Sequence, residues 1–132
     1  MSARQYSRRR FVRLAALASG ALWLGRSLAF AAAPDAAEKA AAARLVDALF
    51  RDKASARAIG RSYLALAAPE EQRVAGLLRA LFSAPARDAR ALERQVTAAV
   101  RQDFAAGRVV MIGGWMLCRT EARLCALAAL VA

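Results

Sequence analysis

A chain of 132 residues holds one small domain, and here it carries 21 Lys and Arg, 10 Asp and Glu, 2 Cys and no His. The lack of His excludes a Ser-His-Asp triad, an imidazole metal site and a histidine-ligated haem, and two Cys cannot form a four-Cys zinc or iron–sulfur centre. The formal charge of +11 is uneven: six basic and no acidic residues fall in 1–31, leaving 15 basic and 10 acidic, a net +5, in 32–132. The remaining arginines are spaced among carboxylates along helices, which is not a nucleic-acid footprint.

The N-terminus reads as an export signal. Ser7-Arg8-Arg9-Arg10-Phe11-Val12-Arg13 precedes an apolar run from Leu14 to Gly25. Adjacent Arg8 and Arg9, one residue, then Phe11 resemble a twin-arginine signal. The run is twelve residues long before Arg26, and a spanning helix needs about 20. It therefore reads as a signal core and not a membrane span. Ser27-Leu28-Ala29-Phe30-Ala31 supplies a small-x-small cleavage site. The division is a signal peptide over 1–31 and a helical domain over 32–132, periplasmic after cleavage. A basic amphipathic N-terminus on a cytosolic protein, or an uncleaved anchor, are the other readings of this segment.

The domain is rich in Ala, 30 of the 101 residues from 32 onward. Ala favours helix but buries little apolar area, so the domain reads as helical and completed by a partner. Pro34-Asp35 opens the first helix, with Asp35 as cap and Glu38 as reciprocal partner. Leu45, Val46, Leu49 and Phe50 form its buried stripe, and it ends near Arg51 or Asp52. The second runs from Ser55 to Ala67 with Ile59, Tyr63 and Leu66 on one side; Gly60 weakens it by about 1 kcal/mol relative to Ala. Ala68-Pro69-Glu70-Glu71 stops it and starts a third helix, striped by Val74, Leu77, Leu78 and Leu81. A fourth runs from about Ala86 to Ala105, striped by Leu92, Val96, Val100 and Phe104, with Gly107 placed to end it.

The pattern then changes to Arg108-Val109-Val110-Met111-Ile112, Gly113-Gly114 and Trp115-Met116-Leu117. Two short apolar runs around Gly-Gly signal a hairpin, the alternative being an extended loop without pairing. A lone hairpin is marginal in water, so this one must rest on the helices or on another chain. Cys118 starts the last helix as a weak cap, with Glu121 reaching back to it. The fold class is all-α: a small irregular bundle of about five helices with a short hairpin or extended segment before the last.

Little of this is catalytic in pattern. No Gly-x-Gly-x-x-Gly or Gly-Lys-Ser/Thr loop occurs. The carboxylates stand singly among arginines and read as surface ion pairs; Asp103 reads as a solvated helix-end residue. Cys118 and Cys125, seven residues apart on one helix, lie about 10.5 Å apart along its axis, beyond the reach of a disulfide. In an oxidising periplasm each is then a buried free thiol or a bridge to another chain; the buried thiol is favoured for Cys125, while Cys118, nearer the helix start and more exposed, is open to either. The expectation is a non-enzyme that binds no cofactor itself. The exporter passes folded proteins, so the economical account is that this chain carries its signal for a partner loaded in the cytoplasm.

Asp103-Phe104-Ala105-Ala106-Gly107-Arg108-Val109-Val110, then Gly114-Trp115-x-Leu117, then Thr120-Glu121-Ala122-Arg123-Leu124-Cys125-Ala126-Leu127 resemble the C-terminal signature of small subunits of membrane-bound sugar dehydrogenases of the sorbitol, fructose and gluconate type. The resemblance covers the signal, the last thirty residues and, loosely, Tyr63-Leu64 and Pro69. Cys118 departs from it where a Ser cap is expected, and Gly113 where a polar residue is usual. It implies a non-catalytic small subunit that helps a large FAD-dependent subunit of the GMC class mature, carries it through the twin-arginine translocase and stays bound. A multihaem cytochrome c subunit belongs to such complexes, and FAD resides in the large subunit. Within this reading Arg8, Arg9 and Phe11 address the exporter. Trp115 is a docking anchor or an ordinary core aromatic. Cys118, Arg119, Glu121, Arg123 and Cys125 are the further partner-contact candidates, against a solvated helix face for the charged ones. The alternative is a free-standing periplasmic helical binding or stress protein.

Overall fold

The structure, a computed structural model describing residues 34–132, is built around its last helix. The elements in order are α1 (Pro34–Leu49), α2 (Lys53–Leu64), a 3-10 turn (Pro69–Gln72), α3 (Val74–Leu81), α4 (Ala89–Ala105), β1 (Val109–Ile112), β2 (Trp115–Cys118) and α5 (Arg119–Leu130). The all-α expectation with a hairpin before the last helix holds. The export-signal residues Arg8, Arg9 and Phe11, and the whole of 1–31, lie outside the described residues.

α5 is buried on nearly every side: Thr120, Ala122 and Leu124 through Ala128 are all inside. It packs against α1, α2, α3, α4 and both strands. The sequence pattern points to one apolar line beside a smaller one. The structure instead surrounds the helix, because its small residues let neighbouring backbones come close. One close approach is at Gly60 of α2, where a Cβ would lie 2.0 Å from the Cys125 carbonyl oxygen. Leu49 of α1, Leu77 of α3 and its own Leu124 and Leu127 are the large side chains of this core, each contributing about 2 kcal/mol by leaving water.

Several boundaries differ from the sequence reading. α1 begins at Pro34, so Asp35 sits in its first turn and is not the cap. α2 begins at Lys53, because the Asp52 carboxylate accepts from the Ser55 backbone N–H (3.0 Å), and it stops at Leu64. That leaves Leu66 outside the helix and 75 % exposed. Glu70 and Glu71 fall in the 3-10 turn and not in α3, which starts only after the extended Arg73. α4 begins at Ala89, capped by Asp88 through the Ala91 N–H. Its stripe buries Val96 only; Leu92 and Val100 are half-buried and Phe104 is exposed, because α4 packs at the edge of the bundle.

β1 and β2 do pair, antiparallel, in the register Val109–Cys118, Val110–Leu117, Met111–Met116 and Ile112–Trp115. Gly113 and Gly114 take φ of +55° and +80°, the two positive values a tight two-residue turn demands. One hairpin face carries Val110, Ile112 and Leu117 toward the core. The other presents Met111 and Met116 outward. No described helix is long and apolar enough to cross a membrane.

Candidate partner-docking site

The hairpin is fixed at its base and open along its outer face. α4 ends in a paired set of backbone bonds: the Arg108 N–H donates to Asp103 O (2.8 Å) and the Gly107 N–H to Phe104 O (3.2 Å). The Asp103 side chain then closes the junction. Its Oδ2 accepts from the Thr120 N–H (2.6 Å) and Oγ1 (2.7 Å), and its Oδ1 accepts from Arg108 Nε (2.7 Å). One carboxylate thus ties the end of α4, the start of β1 and the start of α5. Asp103 is 6 % exposed, which overturns its reading as a solvated helix-end residue. The sequence hid this because its two partners lie 5 and 17 positions away. Burial by itself would raise the Asp103 carboxyl, but the bonds from Thr120 and Arg108 outweigh it and hold the group below its ordinary value.

Cys118 makes the second tie. The Glu121 N–H donates to Cys118 Sγ (3.4 Å), and Glu121 Oε2 accepts from the Cys118 N–H (2.9 Å). This is a complete capping box with a thiol in place of the usual hydroxyl. The expectation of an exposed Cys118 is thereby corrected: the residue is fully buried, as is Cys125. Burial pushes both thiols up to about 12, which removes the reactive thiolate at neutral pH.

A third tie binds the 3-10 turn to α5. Glu71 accepts from Arg123 Nη2 (2.5 Å) and Nε (3.1 Å), and from the Tyr63 hydroxyl (2.5 Å). The bonds from Arg123 hold the Glu71 carboxyl below its ordinary value, burial opposing and Tyr63 assisting. Burial and the adjacent Glu71 raise the Tyr63 hydroxyl. Arg123 is therefore committed within the chain, and not a solvated helix face.

The six partner-contact candidates thus separate. Trp115, 55 % exposed, and Arg119 face outward. Cys118 and Cys125 lie in the core, and Glu121 and Arg123 serve intramolecular bonds. What the sequence reading missed is the further apolar exposure around the hairpin. Met111 (60 %), Met116 (44 %) and Val109 (38 %) are exposed on the face opposite Trp115, and Phe104 (41 %) is exposed at the end of α4. Strand alternation alone would have placed Met111 and Met116 together on the face opposite Val110 and Leu117. Unbranched Met and aromatic side chains adapt to a partner surface. Among the described residues no group of three or more His, Cys, Asp or Glu comes together.

No protein-family model, characterised protein or solved structure matches this chain.

Proposed function

We propose that the chain is a non-catalytic escort subunit: it docks a folded FAD-dependent dehydrogenase of the GMC class, exports it through the twin-arginine pathway and remains bound in the periplasm. The observation that carries this reading is the apolar exposure on both faces of the hairpin, Val109, Met111 and Met116 on one and Trp115 at the turn end of the other, with Phe104 exposed at the end of α4, on a hairpin fastened at its base. Apolar exposure of this kind is costly in water and is characteristic of a protein-binding surface. The Arg8-Arg9-x-Phe11 motif supports the export half of the reading, and the C-terminal resemblance supports the identity of the partner. A large subunit with FAD supplies the redox chemistry; a multihaem cytochrome c is a further member of such a complex.

Affinity isolation of the C-terminally tagged chain from the periplasmic and membrane fractions tests this. A larger co-purifying band with a flavin spectrum is the expected result. Trp115→Ser combined with Met111→Ser should release that band while leaving the melting temperature of the chain nearly unchanged, since exposed substitutions cost within about 0.5 kcal/mol. Arg8→Lys with Arg9→Lys should hold both proteins in the cytoplasm. A chain that always isolates alone and colourless sinks the escort reading and leaves the free-standing one.

A further inference from the structure

Beside the hairpin base lies a cleft of about 330 Å³ between α3, α4, α5 and Arg108, the residue before β1. That volume would hold about ten waters at liquid density, or one small organic acid. Three guanidinium groups line it, Arg79 from α3, Arg108 from the start of the hairpin and Arg123 from α5, together with Ser83 and Gln102. Asp103 is the only acid in its wall.

The hydrogen-bond account of this wall is one-sided. Both Asp103 oxygens are taken, by Thr120 and by Arg108. Arg123 spends Nε and Nη2 on Glu71, and its Nη1 is 3.5 Å from the Ala80 carbonyl, at the limit of a bond. Arg108 uses only Nε. Arg79 has no ion-pair partner among the described residues. The cleft therefore offers charged N–H donors whose own acids are already saturated. Asp103 offsets Arg108 and Glu71 offsets Arg123, so the positive charge of Arg79, an exposed residue of the wall, has no ion-pair partner among the described residues. Guanidinium forks match a planar carboxylate in shape and charge.

We propose that this cleft is a carboxylate-binding site, with Arg79 as the principal ligand-contacting residue and the free Nη groups of Arg108 beside it. The site is distinct from the apolar hairpin face and does not depend on the escort reading. Its occupant is a small organic acid or an acidic side chain of another protein, the two presenting the same group.

Titration of the full-length, isotopically labelled chain at constant ionic strength tests it, with succinate and with an acetylated, amidated Asp-Asp dipeptide as probes. Amide shifts should appear together at Ser83, Gln102, Arg108 and Thr120 with a millimolar dissociation constant. Arg79→Gln removes one charge-assisted contact from an exposed position, so affinity should drop about tenfold with an unchanged melting temperature. Tighter binding of the dipeptide assigns the site to a protein carboxylate; equal or tighter binding of succinate assigns it to a free acid. Absence of shifts with both probes, shifts matched by chloride alone, or binding indifferent to Arg79→Gln overturns the proposal.

Discussion

Replacing Gly60 by Ala separates two physical effects of opposite sign. By helix propensity alone the change should stabilise α2 by about 1 kcal/mol. In the structure the new Cβ would sit 2.0 Å from Cys125 O, 2.5 Å from Cys125 C and 2.9 Å from Ala126 N. All three are backbone atoms of the buried middle of α5, so no rotamer change relieves the overlap. The two helices must part by more than about 1 Å to regain ordinary contact distances. Overpacking costs about 1–3 kcal/mol, and more against rigid neighbours; a value of about 3 less the propensity gain leaves a net loss of about 2 kcal/mol. For a domain near 100 residues that lowers the melting temperature by about 8–16 °C. Thermal and urea denaturation followed by far-UV circular dichroism measures it, with Ala58→Gly at an exposed position of the same helix as the propensity control. An unchanged or raised melting temperature in Gly60→Ala would refute the close α2–α5 approach on which the packing argument rests.

The Asp103 junction should be visible in stability and in its pH dependence. Asp103→Asn keeps the shape but loses charge-assisted bonds to Thr120 and Arg108, at a cost of about 2 kcal/mol; a loss under about 0.5 kcal/mol in urea titration contradicts the buried junction. Asp103 and Glu71 both have carboxyls held below their unfolded values, so the folded state binds fewer protons. Their stabilisation is complete above the unfolded carboxylate range near pH 4 and drains away as pH falls through the folded values. Asp103→Asn should therefore flatten the acid limb of the stability curve, and an unaltered limb would assign that limb to other groups. With both thiols raised to about 12, Cys118 and Cys125 should stay unlabelled by a thiol reagent at pH 8 until urea unfolds the chain; prompt labelling of either in the native state contradicts its burial. Cys118→Ala removes the side-chain cap of α5 and should cost about 1 kcal/mol, while Cys118→Ser, which can still accept from the Glu121 N–H, should cost less.

Much of the architecture is legible in local signals. Periodic apolar residues, Pro69 and Gly107 locate the helices, and Gly113-Gly114 between β-branched runs locates the hairpin. Errors gather where a short-range cap competes with a longer pattern. Asp52 and Asp88 start α2 and α4 through bonds to backbone N–H groups three residues on, shifting both starts from the positions periodicity favours. The central position of α5 is not legible, because Ala, Cys and Thr become core-forming only when other backbones close on them. The same limit applies to the site. Trp115 is conspicuous in the sequence, yet the value of Asp103 and Glu71 lies in contacts at separations of 17 and 52 residues. Neither separation leaves a local trace.

The arrangement of these long-range ties bears on how the exposed face works. Two strands of four residues do not hold themselves in water. Here Asp103, the Cys118–Glu121 box and the bond from the Arg119 N–H to Arg108 O (3.0 Å) fasten the open end of the hairpin to α4 and α5. The apolar side chains are thus offered on backbone that is already ordered, and docking of the proposed partner need not include the entropy of forming the hairpin. That predicts an effect at a distance. On the proposed escort reading, Asp103→Asn should weaken retention of the partner although Asp103 is buried. Gly60→Ala, destabilising by a similar amount through the α2–α5 contact, should leave retention intact at temperatures where both variants remain folded. Equal losses in the two variants would mean that docking follows global stability; a selective loss in Asp103→Asn would mean that it follows the order of the hairpin.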